Sequence, residues 1–255
     1  MSRDLDFEGK TALITGAASG IGLACAHWLA NRGASRLVLV DIDDAALQAL
    51  NPKCETARFA GDVADTQLWD RLGAEAGQID HAVLNAGIAQ AAPLTDIDIA
   101  DWRRLMSVNL DGMMLSLQFV LRRMLEKQSG SIVLTASIGG LKAEPGTAAY
   151  GASKAAVIQM AKVAAREAAA GNVRVNAIAP GGVDTPIWDA VPEFRTLVDE
   201  EGGRAPAIAR MGQQGTALGR FATAQEIAGQ VGFLLSDMAA TITGTVLVSD
   251  GGYSA

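Results

Sequence analysis

The chain has little of what staples a small fold or binds a metal. Two cysteines in 255 residues, Cys25 and Cys54, are too few for a disulfide framework, and a core of this size needs none. They read as cytosolic thiols. Two histidines, His27 and His81, lack metal-like partners, so no metal is expected. Positive charge is also short: 21 Lys and Arg against 28 Asp and Glu give a net charge of −7. That balance excludes a general nucleic-acid binder and disfavours attraction to an anionic membrane. No run of 18 apolar residues exists, so no bilayer-spanning helix is expected. The opening Met1-Ser-Arg-Asp-Leu-Asp-Phe-Glu has neither a basic nor an apolar leader region. These absences predict a soluble, cytoplasmic, globular protein without a signal peptide.

What is there in excess is glycine. Its 28 residues are about 11% of the chain, against about 7% in an average protein, while proline stays at 7. No segment is low-complexity, so the excess points to tight turns and close backbone approaches. Short β-rich runs alternate with longer helical patterns. Strands are predicted over Thr11–Thr15, Arg36–Asp41, Ala57–Ala60, His81–Asn85, Ser131–Thr135, Arg174–Ala179 and Val246–Ser249. Their near-continuous apolar character suits strands covered on both faces. Helices are predicted over Gly20–Asn31, Asp44–Leu50, Thr66–Ala76, Ile99–Lys127, Ala149–Ala170 and Ala224–Ser236. The alternation implies right-handed βαβ units and an α/β fold with a doubly wound parallel sheet of about seven strands, helices on both faces. Length alone allows one or two domains.

More than forty residues between the last two predicted strand–helix units break this rhythm. They carry Gly202, Gly203, Gly212, Gly215 and Gly219 and the apolar Ile187, Trp188, Val191, Phe194, Leu197 and Met211. A stretch of this length suits a lid closing over a ligand, at about 185–220; the alternative is a helical excursion packed on its own core.

After the first strand comes Thr15-Gly16-Ala17-Ala18-Ser19-Gly20-Ile21-Gly22, leading straight into a helix. Strand, glycine-rich turn and helix N-terminus together make an anion site where a pyrophosphate comes close to the backbone. The spacing is G-x-x-x-G-x-G rather than G-x-G-x-x-G. Asp41 ends the second strand nineteen residues after Gly22, where an acidic residue bonds the adenosine ribose hydroxyls. Asp43 and Asp44 follow, and Ala17 and Ala18 supply no cation. A 2′-phosphate there would meet about 4 kcal/mol of repulsion per close charge pair, so NAD(H) is favoured over NADP(H). Alternatively, Asp41 caps the following helix.

Tyr150 stands thirteen residues beyond Ser137 and four before Lys154. On a helix, i and i+4 share a face. A free phenol, with a pKa near about 10, is poorly matched to neutral pH. An ammonium about 4 Å away in a half-buried site would lower that pKa by about 3. The pair is therefore a sensible acid/base couple.

Thr15-Gly16-x-x-x-Gly20-x-Gly22, Asn85-Ala86-Gly87, Asn109-x-x-Gly112, Ser137, Tyr150-x-x-x-Lys154 and Pro180-Gly181-x-x-x-Thr185 occur together and in order. In this the chain resembles the short-chain dehydrogenase/reductase family, from Gly9 to Gly252. The resemblance implies one Rossmann-fold domain over residues 1–255. It makes Tyr150 the acid/base, with Lys154 lowering its pKa and holding the nicotinamide ribose. Ser137 would fix the substrate oxygen, and Asn109 would kink its helix and anchor a water relaying protons from Lys154. Gly16, Ser19, Gly20, Ile21, Gly22 and Asp41 would hold the cofactor with Asn85, Ala86 and Gly87. Asp62 and Val63 would hold its adenine; Pro180, Gly181, Val183 and Thr185 would meet its nicotinamide end. Leu84 departs from the family's frequent second Asn, which touches packing more than chemistry.

The expected reaction is hydride transfer between NAD(H) and a secondary alcohol/ketone pair. Ser137, Ile138, Gly139, Leu141, Tyr150, Gly182 and Trp188 are the expected substrate wall, which favours a hydrophobic or cyclic substrate. Arg195, Arg204 and Arg210 could instead bind a carboxylate. Two alternatives are a 3-oxoacyl-[acyl-carrier-protein] reductase, opposed by Asp41, and a non-catalytic nucleotide sensor, opposed by the intact Asn109, Ser137, Tyr150 and Lys154. The basic Arg103-Arg104 and Arg122-Arg123-x-x-x-Lys127 read as a solvated face or an oligomer contact rather than a carrier-protein dock. The resemblance also implies a homotetramer.

Overall fold

Apolar runs without a polar beat are explained by what lies on either side of them. The structure, a computed structural model, describes residues 5–255. Its strands are β1 (Thr11–Thr15), β2 (Arg36–Asp41), β3 (Glu55–Ala60), β4 (His81–Leu84), β5 (Gly130–Thr135), β6 (Val173–Pro180) and β7 (Val246–Ser249). They form one sheet in the order 3-2-1-4-5-6-7, every neighbouring pair parallel. Side chains alternate across each strand. Leu13, Val38 and Leu84 enter one core with Trp69, Val120 and Val157, whereas Ile14, Leu39 and Val83 enter another with Leu29, Ile227 and Val231. Both faces are dry, so both phases of the alternation must be apolar. Each fully buried Leu or Ile contributes about 1.5–3 kcal/mol.

The helices are α1 (Gly20–Ala30), α2 (Asp44–Ala49), α3 (Thr66–Glu75), α4 (Ile99–Met106), α5 (Gly112–Lys127), α6 (Ala148–Ala168), α7 (Pro192–Glu200), α8 (Arg204–Gly215) and α9 (Ala224–Leu235). Residues of α1 and α9 pack in one of the two cores, those of α3, α5 and α6 in the other. Aspartates use part of the acidic surplus as N-caps: Asp43 for α2, Asp65 for α3 and Asp98 for α4. Strand order reverses between β1 and β4, which leaves a ligand crevice at the carboxyl ends of the strands.

Three departures from the sequence reading matter for that crevice. The single helix expected over Ile99–Lys127 is two helices joined by a π turn at Ser107–Asp111. The turn carries Asn109 inward, where its amide bonds both the N–H and the C=O of Ile88, at 2.8 and 2.9 Å. An extra residue in one turn is the usual way a helix re-aims a side chain. The break also separates the basic residues. Arg103 and Arg104 are exposed on α4, while Lys127 pairs with Asp80 just before β4, and Arg123 bonds the Gly73 carbonyl at 3.1 Å.

Second, β4 ends at Leu84, because the next two N–H groups bond a side chain rather than a strand. Third, the expected lid is mostly helical. It comprises a 3-10 turn at Pro186–Ala190 followed by α7 and α8. Phe194, Ala207 and Ile208 are buried there as a small core of their own, with Trp188, Val191, Leu197, Met211 and Phe221 against it. Among the described residues, no helix is long and apolar enough to cross a membrane.

Candidate active site

The turns after β1 and β4 are stitched together by one hydroxyl. Thr15 is buried, and its Oγ1 accepts from the N–H groups of Asn85 and Ala86, at 2.9 and 3.1 Å. Asn85 Nδ2 donates back to the Gly16 carbonyl at 3.3 Å. Gly22 passes so close beneath this turn that a Cβ there would stand 1.9 Å from the Gly16 carbonyl oxygen. Ser19 is the N-cap of α1, yet its hydroxyl makes no capping bond, and the first turn, which includes Ile21, holds no acidic residue. The first N–H groups of an eleven-residue helix are thus left for an outside anion, with no carboxylate in the helix's own first turn. These residues fit a dinucleotide pyrophosphate.

Asp41 is held against the same turn. Its carboxylate accepts from the Ala18 N–H at 2.8 Å and from the Asp43 N–H at 3.1 Å, whereas the cap of α2 is Asp43. Past β3, Asp62 accepts from the Ala64 N–H at 2.9 Å. Val63 is buried, and a side chain at Gly112 on α5 would stand 2.5 Å from it. Pro180 ends β6, the Gly181 N–H bonds the Ser249 carbonyl at 2.9 Å, and Val183 and Thr185 are buried. Thr185 Cβ lies 3.3 Å from where a side chain at Gly20 would begin. The first and sixth strand ends therefore face each other across the crevice.

Tyr150 and Lys154 lie one turn apart on α6. Lys154 is only 3% exposed, and its Nζ donates to the Thr135 carbonyl at the end of β5, at 3.0 Å. That bond holds it 5.7 Å from the centroid of the Tyr150 ring. The expected lowering of the phenol pKa is not what this arrangement gives. Burial pushes Tyr150 up, only partly offset by the Ser137 hydroxyl beside it, and burial pushes Lys154 down to about 8. Burial acts on both groups, disfavouring the Tyr150 phenolate and the Lys154 ammonium alike.

Ser137 follows β5, with its hydroxyl accepting from the Gly139 N–H at 3.1 Å. Asn109 is fully buried and donates to Ser153 Oγ at 3.2 Å, and Ser153 in turn donates to the Tyr150 carbonyl at 2.7 Å. Ser153 escaped the sequence reading, although its place between Tyr150 and Lys154 on one helix was visible. Gly87 completes the group: a Cβ there would lie 3.2 Å from Asn109 Oδ1 and 3.3 Å from Lys154 Nζ. Asn109, Ser137, Tyr150 and Lys154 thus come together from the π turn, the end of β5 and α6.

The expected substrate wall is more mixed. Gly139 borders Tyr150 and Ser137, each 3.6 Å from where its side chain would begin, and Leu141 is half exposed. Gly182 instead makes room for Phe221, whose ring would lie 2.2 Å from a Cβ there. Trp188 stacks on Phe221 at 5.5 Å and donates its indole N–H to the Val183 carbonyl at 2.8 Å, as part of the excursion's own core. Arg204 pairs with Asp184 and Asp189, and Arg210 pairs with Glu201.

Comparison with known proteins agrees with this geometry. A family model described as Enoyl-(Acyl carrier protein) reductase matches residues 16–254. The chain is 39% identical to a cis-4-hydroxycyclohexanecarboxylate dehydrogenase of Sinomonas cyclohexanicum, covering 98% of each chain. It is 40% identical to a D-threitol dehydrogenase of Mycolicibacterium smegmatis, covering 100% of this chain and 97% of that one. A crystal structure of NAD+-bound xylitol dehydrogenase superposes with a TM-score of 0.85 at 32% identity, over 96% of this chain and 99% of that one. With its sheet order, glycine turn and Ser137, Tyr150 and Lys154 brought together, the chain belongs to the short-chain dehydrogenase/reductase family of oxidoreductases.

Proposed function

We propose that this protein interconverts a secondary alcohol and its ketone with NAD(H), acting on a hydrophobic or cyclic substrate. The observation that carries the reading is a half-buried phenol, Tyr150, beside the Ser137 hydroxyl and one helical turn from the buried Lys154 amine, which lies 5.7 Å from its ring centroid. When bound, the nicotinamide supplies the hydride acceptor or donor at the carbinol carbon. Ser137 and Tyr150 position the substrate oxygen. In reduction the Tyr150 phenol donates its proton to that oxygen as the ketone becomes an alcohol; in oxidation the phenol first passes its proton to the neutral Lys154 amine, and the resulting phenolate takes the hydroxyl proton. Lys154, with a pKa of about 8, restores or removes that proton, facing Asn109 across Gly87.

Asp41 supports NAD(H): its carboxylate is fixed against the glycine turn, where a 2′-phosphate would be repelled. The substrate class rests on exposed apolar side chains. Leu94, Ile99, Leu141, Ile187 and Leu218 are all more than a third exposed, on segments that follow the carboxyl ends of β4, β5 and β6. Salt bridges at Arg204 and Arg210 weaken the carboxylate alternative. The carrier-protein alternative is weakened, since Arg123 and Lys127 are engaged with Gly73 and Asp80 while Arg103 and Arg104 lie on a different helix.

The test is a spectrophotometric screen of cyclic and acyclic secondary alcohols and ketones with NAD(H) and NADP(H). Tyr150→Phe should lower turnover by about 10⁴-fold while NADH still binds with near-normal affinity; retained turnover would sink the assignment. Asp41→Ala should weaken NAD(H) and narrow its advantage over NADP(H). An unchanged ratio would refute the cofactor reading.

A further inference from the structure

The segment that follows β7, Asp250–Ala255, touches both substrate-facing walls of the crevice. Asp250 folds it into a turn, its carboxylate accepting from the N–H groups of Gly252 and Ser254, both at 2.9 Å, and from Ser254 Oγ at 2.6 Å. On one side this turn grips the end of the helical excursion. The Leu218 N–H donates to the Gly251 carbonyl at 3.0 Å, and a Cβ at Gly252 would lie 2.7 Å from that of Ala217.

On the other side Tyr253 reaches the loop between Ser137 and Tyr150. Its hydroxyl donates to Glu144 Oε1. The Lys142 ammonium sits 3.7 Å from the Tyr253 ring centroid, donates to the Tyr253 carbonyl at 3.2 Å and pairs with Glu144 at 3.3 Å. Three groups therefore close on one another, a geometry that a solvated surface loop does not adopt by default.

Glu144 passes this constraint on. Its carbonyl accepts from both the N–H of Thr147, at 3.2 Å, and its hydroxyl, at 2.8 Å. Thr147 is the N-cap of α6, and its own carbonyl accepts from the Gly151 N–H at 2.7 Å. Tyr150 stands in that first turn. The chain of contacts runs from Tyr253 through Glu144 and Thr147 to the start of the helix that carries the phenol.

We propose that Tyr253, fastened by Glu144 and Lys142, is a positioning residue that ties the loop after Ser137 to the excursion and so sets the width of the substrate cleft. This rests on the alcohol/ketone reading for its effect on turnover, but not for the fastening itself. Neither Tyr253 nor Glu144 belongs to the acid/base group or the cofactor turn. The tie acts on the substrate side alone, because the cofactor side is held by Thr15, Asn85 and Gly16.

Tyr253→Phe keeps the ring beneath Lys142 and removes only the hydroxyl, and Tyr253→Ala removes both. Two readouts are taken on the full-length protein: amide exchange at Lys142, Thr147 and Leu218, and steady-state kinetics with the best alcohol from the screen. Exchange at these amides should quicken in Tyr253→Phe and more so in Tyr253→Ala. The alcohol KM should rise about tenfold in Tyr253→Phe, with kcat and NADH affinity within about twofold. Unchanged exchange overturns the fastening. Faster exchange with an unchanged KM overturns the positioning role. If the wild type turns over no alcohol or ketone while exchange still quickens, the fastening stands and the reading of the activity falls.

Discussion

The two walls of the crevice are held by different means. The proposed cofactor wall is fitted closely to the backbone: the Thr15 hydroxyl bonds two N–H groups of the next turn, and Gly22 lies under the Gly16 carbonyl with no space for a methyl. The proposed substrate wall is built on a separate small core of Phe194, Ala207 and Ile208, attached to the rest by bonds such as those from Arg204 to the Thr185 carbonyl and from the Leu218 N–H to the Gly251 carbonyl. A wall of the first kind tolerates almost no change, whereas one of the second can repack while the sheet stays intact. Binding variation concentrates on segments of the second kind, held by a rigid scaffold of the first.

The comparison breaks most sharply at Gly22. Gly22→Ala places a methyl against a backbone oxygen rather than against a flexible side chain, so the turn itself must move. The expected destabilisation is about 3 kcal/mol, which for a chain of this size lowers Tm by about 6–12 °C. NADH affinity, measured by fluorescence titration, should fall by about 100-fold or more as the N–H groups at α1 lose their alignment. Normal NADH binding would show that the cofactor wall is as plastic as the other.

Lys154 gives a smaller effect with a definite sign. Its folded pKa of about 8 lies below its ordinary value of 10.5 because the site is dry. Between those two pH values the unfolded chain holds a proton that the folded one releases, so this group makes stability rise with pH across that window. Below pH 8 the full burial penalty is present. Removing the charge in Lys154→Met relieves up to about 3 kcal/mol at pH 7, less about 1 kcal/mol for the Thr135 carbonyl left without its donor. The variant should be inactive yet melt higher than the wild type at pH 7, with the gap closing above pH 10.5. A lower Tm at pH 7 would mean that Lys154 stabilises the site it serves.

How much of this was legible in the chain follows the same division. Glycine is the only residue that permits close backbone approach, and buried parallel strands leave apolar runs, so the cofactor turn and six of the seven strands could be placed within a residue or so. Four-residue spacing placed Tyr150 and Lys154 on one face. What stayed hidden depends on partners distant in sequence. The π turn exists because Asn109 bonds Ile88, twenty-one residues away. The excursion's own core stands open in the sequence as the alternative to a lid, with Trp188 and Phe194 among its members, but Phe221 joins them from beyond the stretch. The directions of the Tyr150 and Lys154 shifts arise from burial by the whole fold, and spacing alone suggested the opposite for Tyr150.

Phe194 offers the mildest and most discriminating test of the contrast. It is 3% exposed, lies 6.0 Å from Trp188 and carries the Arg204 guanidinium 5.2 Å over its ring, all within the excursion. Neither of the two sheet-covering cores includes it. Phe194→Ala should therefore loosen residues 186–215, read as faster proteolytic cleavage there, with the global Tm changed by about 3 °C or less. The alcohol KM should rise about fivefold while NADH affinity stays within about twofold, a change in uniform substrate binding rather than in the chemical step. Equal loss of substrate and NADH affinity would join the two walls into one unit, since a shared core could not be loosened on one side alone.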